Sequence, residues 1–435
     1  MASVRSITIV FSAAAIVVLG GLAPARHASA ATLREELGRL LAEHPRLRAE
    51  KHRVASADQQ VRRAFAAFLP KLSLAGDAGP EYVDAAGAEQ SERLVRSKGT
   101  LTLTQNLFAG NRDWQEHKAA KIRGLAARHR LDATRQSLLL EGITAYYDIL
   151  RQSRLIRIAR QNETVVRTQL ELENERVLRG GGIAVDALLA KTRLQLGRER
   201  TVQFVGLLDE ARARYRQIFA REARLKEMSD PKLSLAALPD KLDDATEKSA
   251  TSNPSLLASE RDARVAAHRA GAARADFAPR VDIVGQINRE HDLDAAQGSR
   301  RDWSVLFKVT WELFSGFATT ATAAAAAEDK AVAQDTYLFN RRKIDEELRI
   351  SWRRLETARK RVALLDNAVV IAEEVFEARR RLRDAGKETA INVLDAQTEL
   401  FTSRMTHISA SFDAEVAAFR VLFAMGVLTP ETLGL

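Results

Sequence analysis

Trp303-Ser304-Val305-Leu306-Phe307-Lys308-Val309-Thr310-Trp311-Glu312-Leu313-Phe314-Ser315-Gly316 is the stretch from which the fold follows. Trp303, Val305, Phe307, Val309, Trp311 and Leu313 alternate with Ser304, Lys308, Thr310 and Glu312, a period of two that belongs to a strand with one apolar face. Trp303 and Trp311 stand on the same side, about 26 Å apart along an extended chain. A transmembrane barrel has an apolar band ~25 Å tall with aromatic residues at both rims. The spacing therefore favours a strand with lipid on the face of Trp303, Val305, Phe307, Val309 and Trp311. A half-buried sheet in a soluble domain gives the same alternation but has no need for the paired tryptophans.

Three weaker copies of the pattern surround it. Val281, Ile283 and Ile287 alternate with Asp282, Gln286 and Asn288; Leu101, Leu103 and Leu107 alternate with Thr100, Thr102 and Thr104; Leu72 and Leu74 alternate with Ser73 and Asp77. Four strands are predicted, at about 70–78, 99–108, 280–288 and 302–314, paired through polar loops around 78–98 and 289–301. Four strands cannot close a barrel, and an open sheet edge is not tolerated in hydrocarbon. On this reading several copies of the chain must share their strands.

The sequence is written twice. His44-Pro45 and Phe68-Leu69-Pro70 return as Asn253-Pro254 and Phe277-Ala278-Pro279, both shifted by 209 positions. Asn106-Leu107-Phe108-Ala109-Gly110 returns as Glu312-Leu313-Phe314-Ser315-Gly316, shifted by 206, and that shift continues without a gap. Leu188, Ala190, Thr192 and Leu194 thus meet Leu394, Ala396, Thr398 and Leu400. The predicted plan is a first repeat over 31–220, an inter-repeat segment over 221–243, a second repeat over 244–426 and a tail over 427–435.

Between the strand pairs the chain reads as helix. Residues 81–230 and 280–429 contain no proline, which permits very long helices. A continuous one is expected from about Asn111 to Arg179, on the order of 100 Å long. Flanking helices of about half that length are expected at Leu33–Ala67 and Val185–Phe219. Leu348, Leu355, Val362, Val369 and Phe376 are each seven apart, with Ala358, Leu365 and Ala372 at the second seam position, so helices should pack side by side. Gly180-Gly181-Gly182 and Gly386 interrupt the helical pattern and mark the tips of two hairpins.

Bulk composition is compatible with this. The chain has 435 residues, no cysteine, 6% aromatic residues and a formal charge of +10. Basic and acidic residues are interleaved, which points to solvated helix faces and away from a nucleic-acid partner. Arg5, the apolar run Ile7–Leu22 and Ala28-Ser29-Ala30 read as a cleaved signal peptide over 1–30. Without Arg5 and Arg26 the mature chain carries 65 basic and 57 acidic residues, a net of +8.

Signal, doubled plan, strand pairs and glycine-broken hairpins together resemble the TolC family of outer-membrane export channels. The most specific local piece is Gly386-Lys387-Glu388-Thr389-Ala390-Ile391-Asn392-Val393-Leu394-Asp395-Ala396. The resemblance implies a mainly α fold of long periplasmic hairpins with four transmembrane strands per protomer. It implies a homotrimer with one twelve-stranded barrel in the outer membrane of a Gram-negative bacterium, in contact with outer-membrane lipid. It also implies a periplasmic adaptor and an inner-membrane transporter of the ABC or RND type. Protein cargo, by one-step secretion, is favoured over small molecules by Glu347-Leu348-Arg349-Ile350-Ser351-Trp352 and the Gly386 segment.

Site residues carry over by position. Asp395 resembles one of the family's constriction carboxylates, and Asn392 stands where a second is common. Asp186 resembles the acidic position of the first hairpin, and Glu388 occupies a place where a basic residue often latches the gate. Asp186 and Asn392 have a second reading as helix caps. Gly180, Gly181, Gly386 and Lys387 are the expected adaptor contacts. No enzyme activity, cofactor or metal is expected: the histidines at 44, 52, 117, 129, 268, 291 and 407 lack ligand spacing, and no nucleophile motif or phosphate loop is present. The rival reading, a soluble periplasmic coiled-coil adaptor or scaffold, shares the signal and heptads.

Overall fold

The computed structural model describes residues 33–83, 92–231, 233–293 and 296–435; the expected signal peptide lies outside them. The chain begins with α1 (Leu33–Glu43), which buries Leu33, Leu37 and Leu40 along one face. Pro45 then starts a separate helix, α2 (Pro45–Phe65), with the His44 side chain accepting from the Arg46 N–H at 3.2 Å. The single helix expected at 33–67 is therefore two, because proline offers no N–H to continue the first. The second repeat breaks likewise. There α5 (Leu242–Ser252) stops at Asn253, whose Oδ1 accepts from the Ser255 and Leu256 N–H groups at the start of α6 (Pro254–Ala275).

The long helices match residue for residue under the 206-position shift. α3 (Arg112–Leu178) and α7 (Ala318–Asp384) have 67 residues each; α4 (Ala184–Phe219) and α8 (Ala390–Met425) have 36 each. Each 67-residue helix is entered through a left-handed residue, Asn111 or Phe317, which swings the chain out of the strand before it. α3 packs along α2, α4, α6 and α8, and α7 along α6 and α8. On α7, Leu348, Leu355, Ala358, Ala372 and Phe376 are buried at heptad positions, while Val362, Leu365 and Val369 are half-buried.

Midway along the helices lies the main core. Leu37 and Leu40 meet Leu139, Ile143, Tyr146 and Phe219, and the cluster continues through Phe412, Phe419 and Leu422 to Leu428 and Leu433 beside the short C-terminal α9 (Pro430–Leu433). Each such side chain contributes roughly 1.5–3 kcal/mol on burial. Leu225, Met228, Leu235 and Leu238 of the inter-repeat segment pack onto this cluster, and the Tyr146 hydroxyl donates to the Ser229 carbonyl at 2.9 Å. A second cluster joins Leu348, Trp352 and Leu355 to Val421 and Met425.

One end of the molecule is a four-stranded antiparallel meander, β1 (Lys71–Val83), β2 (Glu92–Ala109), β3 (Arg280–Leu293) and β4 (Ala296–Thr310). Register aligns Leu74, Leu101, Ile287 and Trp303 in one row and Leu72, Leu103, Gly285 and Val305 in the next; Ile283–Phe307 and Val281–Val309 follow. Trp303 is 76% and Phe307 73% exposed in the protomer. The opposite face carries Thr102, Gln286 and Ser304, then Thr100, Asn288 and Asp302. Apolar residues dominate one face and polar residues the other, where Val284 and Leu306 make one apolar row, as a strand between two solvents requires.

Two sequence expectations are corrected here. The segments assigned to loops, 78–98 and 289–301, are largely strand: β1 runs on to Val83 and β2 starts at Glu92. Alternation fades there because the apolar rows end where Arg289 pairs with Arg301, one row past Trp303. Backbone pairing continues where apolar residues are sparse, supported by Lys98–Glu290 at 3.0 Å and Arg96–Glu81 at 3.0 Å. At the other end β4 stops at Thr310, so Trp311 and Leu313 lie past the strand. The Trp311 Nε1–H donates to the Phe277 carbonyl at 3.1 Å, which ties that indole to the turn before β3.

Candidate functional site

Both hairpin tips lie at the end of the molecule remote from the sheet. Each is a helix stop on a left-handed glycine, Gly180 at φ 74° and Gly386 at φ 73°. A Cβ at either glycine would meet nothing within 4 Å, so both tips stand free in the protomer. Gly181 and Lys387 beside them are exposed. The first tip exposes Leu178, Ile183 and Val185 beside Arg179, whereas the second presents Asp384 and Lys387.

Asp186 and Asn392 do not cap their helices. Ile183 and Thr389 are the N-caps of α4 and α8, and neither makes a side-chain cap hydrogen bond. Asp186 and Asn392 each sit three residues further on. Asn392 donates from Nδ2 to the Glu388 carboxylate, which also accepts from the Thr389 N–H at 2.9 Å. These two hydrogen bonds, the Asn392 one first, hold the Glu388 carboxyl below the usual glutamate range. Arg379, 3.4 Å away, adds to that shift.

What joins the two hairpins is Arg383. Near the end of α7, it donates from Nη2 to both carboxylate oxygens of Glu173 on α3, each at 2.9 Å, and from Nη1 to the Glu388 carbonyl at 3.0 Å. Asp186 lies 3.9 Å from the same guanidinium. Glu173 is 2% exposed, and its remaining partner is Arg176 at 3.3 Å. Both bonds to Glu173 come from the one nitrogen Nη2, and hydrogen bonds between charged groups such as these are stronger than neutral ones. Glu388, an acid where the resemblance often has a base, is itself held by Asn392 and the Thr389 N–H, and the contact between the two hairpins comes from Arg383, five residues earlier in the chain.

Asp395 has a partner that sequence reasoning missed. Its Oδ1 accepts from Arg193 of α4 at 2.8 Å, again from one hairpin to the other. The carboxylate expected to give the constriction its charge is therefore neutralised within the protomer. Under the internal repeat Arg193 corresponds to Glu399, so the doubling offered no hint of the pair. A hint for Arg383 did exist: Arg379-Arg380-Arg381 and Arg383 crowd the last turns of α7, where cations suit the helix dipole. Among the described residues, no group of histidine and carboxylate side chains could hold a metal ion.

Comparison with known proteins gives the family of the chain. The family model described as outer membrane efflux protein matches residues 37–221 and 246–427. The outer membrane efflux protein BepC of Brucella suis biovar 1 is 22% identical over 424 residues, spanning 97% of this chain and 91% of that protein. The alkaline protease secretion protein AprF of Pseudomonas aeruginosa is 22% identical over 388 residues, 85% of this chain and 79% of that one. A crystal structure of a membrane protein from Pseudomonas aeruginosa superposes with a TM-score of 0.82 at 22% identity, covering 91% of this chain and 90% of its own.

Proposed function

The chain belongs to the outer membrane efflux protein family, and from that premise we propose that it is the outer-membrane exit duct of a tripartite export system, built as a homotrimer. The observation that carries the assembly is the sheet: β1 and β4 each leave one edge unpaired, beside a face of aligned apolar rows. Open edges in hydrocarbon must be paired, and edge-to-edge joining of three copies closes twelve strands. α7 supports the same assembly, since Phe339, Leu364, Val370 and Ile371 are exposed in the protomer.

The duct conducts passively, with energy supplied by an inner-membrane ABC or RND transporter through a periplasmic adaptor. The adaptor meets the tips at Gly180, Gly181, Gly386 and Lys387, where nothing of the protomer stands in the way. Asp395, Asn392 and Asp186 lie at the constriction, and Arg383 and Arg193 hold the two hairpins together there in the closed state. Opening separates Arg383 from Glu173 and Asp186. The inter-repeat segment and tail form a belt around the middle of the helices. Cargo is a polypeptide in preference to small molecules, a reading supported by the secretion role in the name of the relative AprF.

Single-channel conductance of the purified mature protein in a planar lipid bilayer tests the reading. Discrete openings of uniform size are expected. A protein that stays soluble and never conducts would return the coiled-coil scaffold to first place.

A further inference from the structure

A groove of about 890 Å³ crosses α3, α4, α7 and α8 at mid-length, and its wall is dominated by arginine. Its side of the helix layer can be read from the helical repeat. The core and the inter-repeat segment cover α3 at Tyr146 and α7 at Trp352. The groove takes Asp148 from α3 and Arg354 from α7. Each is two residues on, about 200° round its helix at ~100° per residue. The groove therefore opens on the face opposite the belt, which becomes the tunnel wall when the trimer closes.

Its carboxylates are already engaged. Asp148 and Asp413 hold Arg151 at 2.6 and 3.1 Å, and Arg214 approaches Asp148 at 3.8 Å. Outside the groove, Asp345 and Glu356 take up Arg349 and Arg353 at 2.9 and 2.7 Å. Arg354, Arg361 and Arg420 make no ion pair among the described residues, and all three are exposed. Guanidinium groups without a direct ion pair on one wall, of which Arg420 alone is near enough to act on Asp148, attract anions and bind carboxylates in fork geometry.

The shape favours a chain over a small ion. From Arg349 to Arg361 the groove follows α7 for about 18 Å at 1.5 Å per residue. That length spans five or six residues of extended polypeptide at ~3.3 Å each. Ile350, Val416 and Ala417 line the wall between the charges. We propose that this groove binds acidic stretches of the exported polypeptide, as an arginine track parallel to the direction of transit. The proposal rests on the channel reading and names the charge class of its cargo.

The test uses detergent-solubilised wild-type trimer, a fluorescent octaglutamate peptide and, in parallel, tripolyphosphate and octalysine. Octaglutamate should bind with an affinity that falls as salt rises, and octalysine should not bind. Arg354→Gln with Arg361→Gln and Arg420→Gln should weaken octaglutamate at least about tenfold while leaving the trimer intact. Unchanged affinity in that variant overturns the proposal, as does binding of tripolyphosphate without octaglutamate. Loss of the trimer would assign these arginines to the subunit contact and also overturn it. Wild-type protein that conducts but ignores octaglutamate sinks the track and leaves the channel standing. Protein that binds octaglutamate but never conducts removes the tunnel and the transit role together.

Discussion

Arg383 grips Glu173, 210 residues earlier in the chain, through both carboxylate oxygens at 2.9 Å. One guanidinium thereby ties the end of the second long helix to the end of the first, beside Asp186. Its removal should loosen the tips and leave the rest of the protein in place.

Arg383→Ala leaves buried Glu173 with Arg176 alone. The expected cost is about 1–3 kcal/mol, local to the tips. Hydrogen exchange should quicken over 170–190 and 380–392, and mean conductance should rise. Arg383→Lys keeps the charge without the second nitrogen that reaches the Glu388 carbonyl and should fall between the two.

The Arg193–Asp395 pair should limit block by multivalent cations in the wild type. Arg193→Ala frees one carboxylate per protomer and should tighten block about two- to fivefold, the scale of an exposed pair worth ~0.5–1 kcal/mol. Asp395→Ala should weaken what block the wild type shows. If neither variant changes block, Asp395 does not line the constriction.

Phe307 stands amid the apolar rows of the sheet, opposite Ile283. Arginine there should impair membrane assembly by roughly 2–4 kcal/mol per protomer if the residue is near the midplane. Trimer yield after insertion into lipid vesicles reads this directly. Ser304→Arg, on the polar face, should assemble normally.

Acid should loosen the second tip. The Glu388 carboxyl is held below its ordinary range by Asn392 first and the Thr389 N–H second. A depressed folded-state value means stability that is complete above the unfolded value, about 4.3, and lost as pH falls through the lower folded one. Protection over 384–392, corrected for the intrinsic pH dependence of amide exchange, should therefore be flat from neutral pH to about 5 and fall below 4. Asn392→Ala should flatten much of that dependence.

Much of the architecture was legible because its causes are local. Alternation at Trp303–Val309 reports two solvents, and the absence of proline over 81–230 permits a helix as long as α3. The glycines at 180 and 386 stop helices wherever they occur in the chain. Misreadings arose where a local rule met a wider context. Pro45 ended a helix that its flanks favoured, and the strands outran their apolar pattern once they left the band.

By itself the sequence determined the doubled plan, the strand faces and the hairpin tips, since periodicity and backbone restriction act over a few residues. Only the tertiary structure decided which charges meet. Arg193 finds Asp395 across 202 residues, and Arg383 finds Glu173 across 210. Nor could the chain alone show that Arg354, Arg361 and Arg420 share one groove. Charged side chains look alike on every solvated helix face, and their partners are chosen by the packing of helices that the pattern of charge does not control.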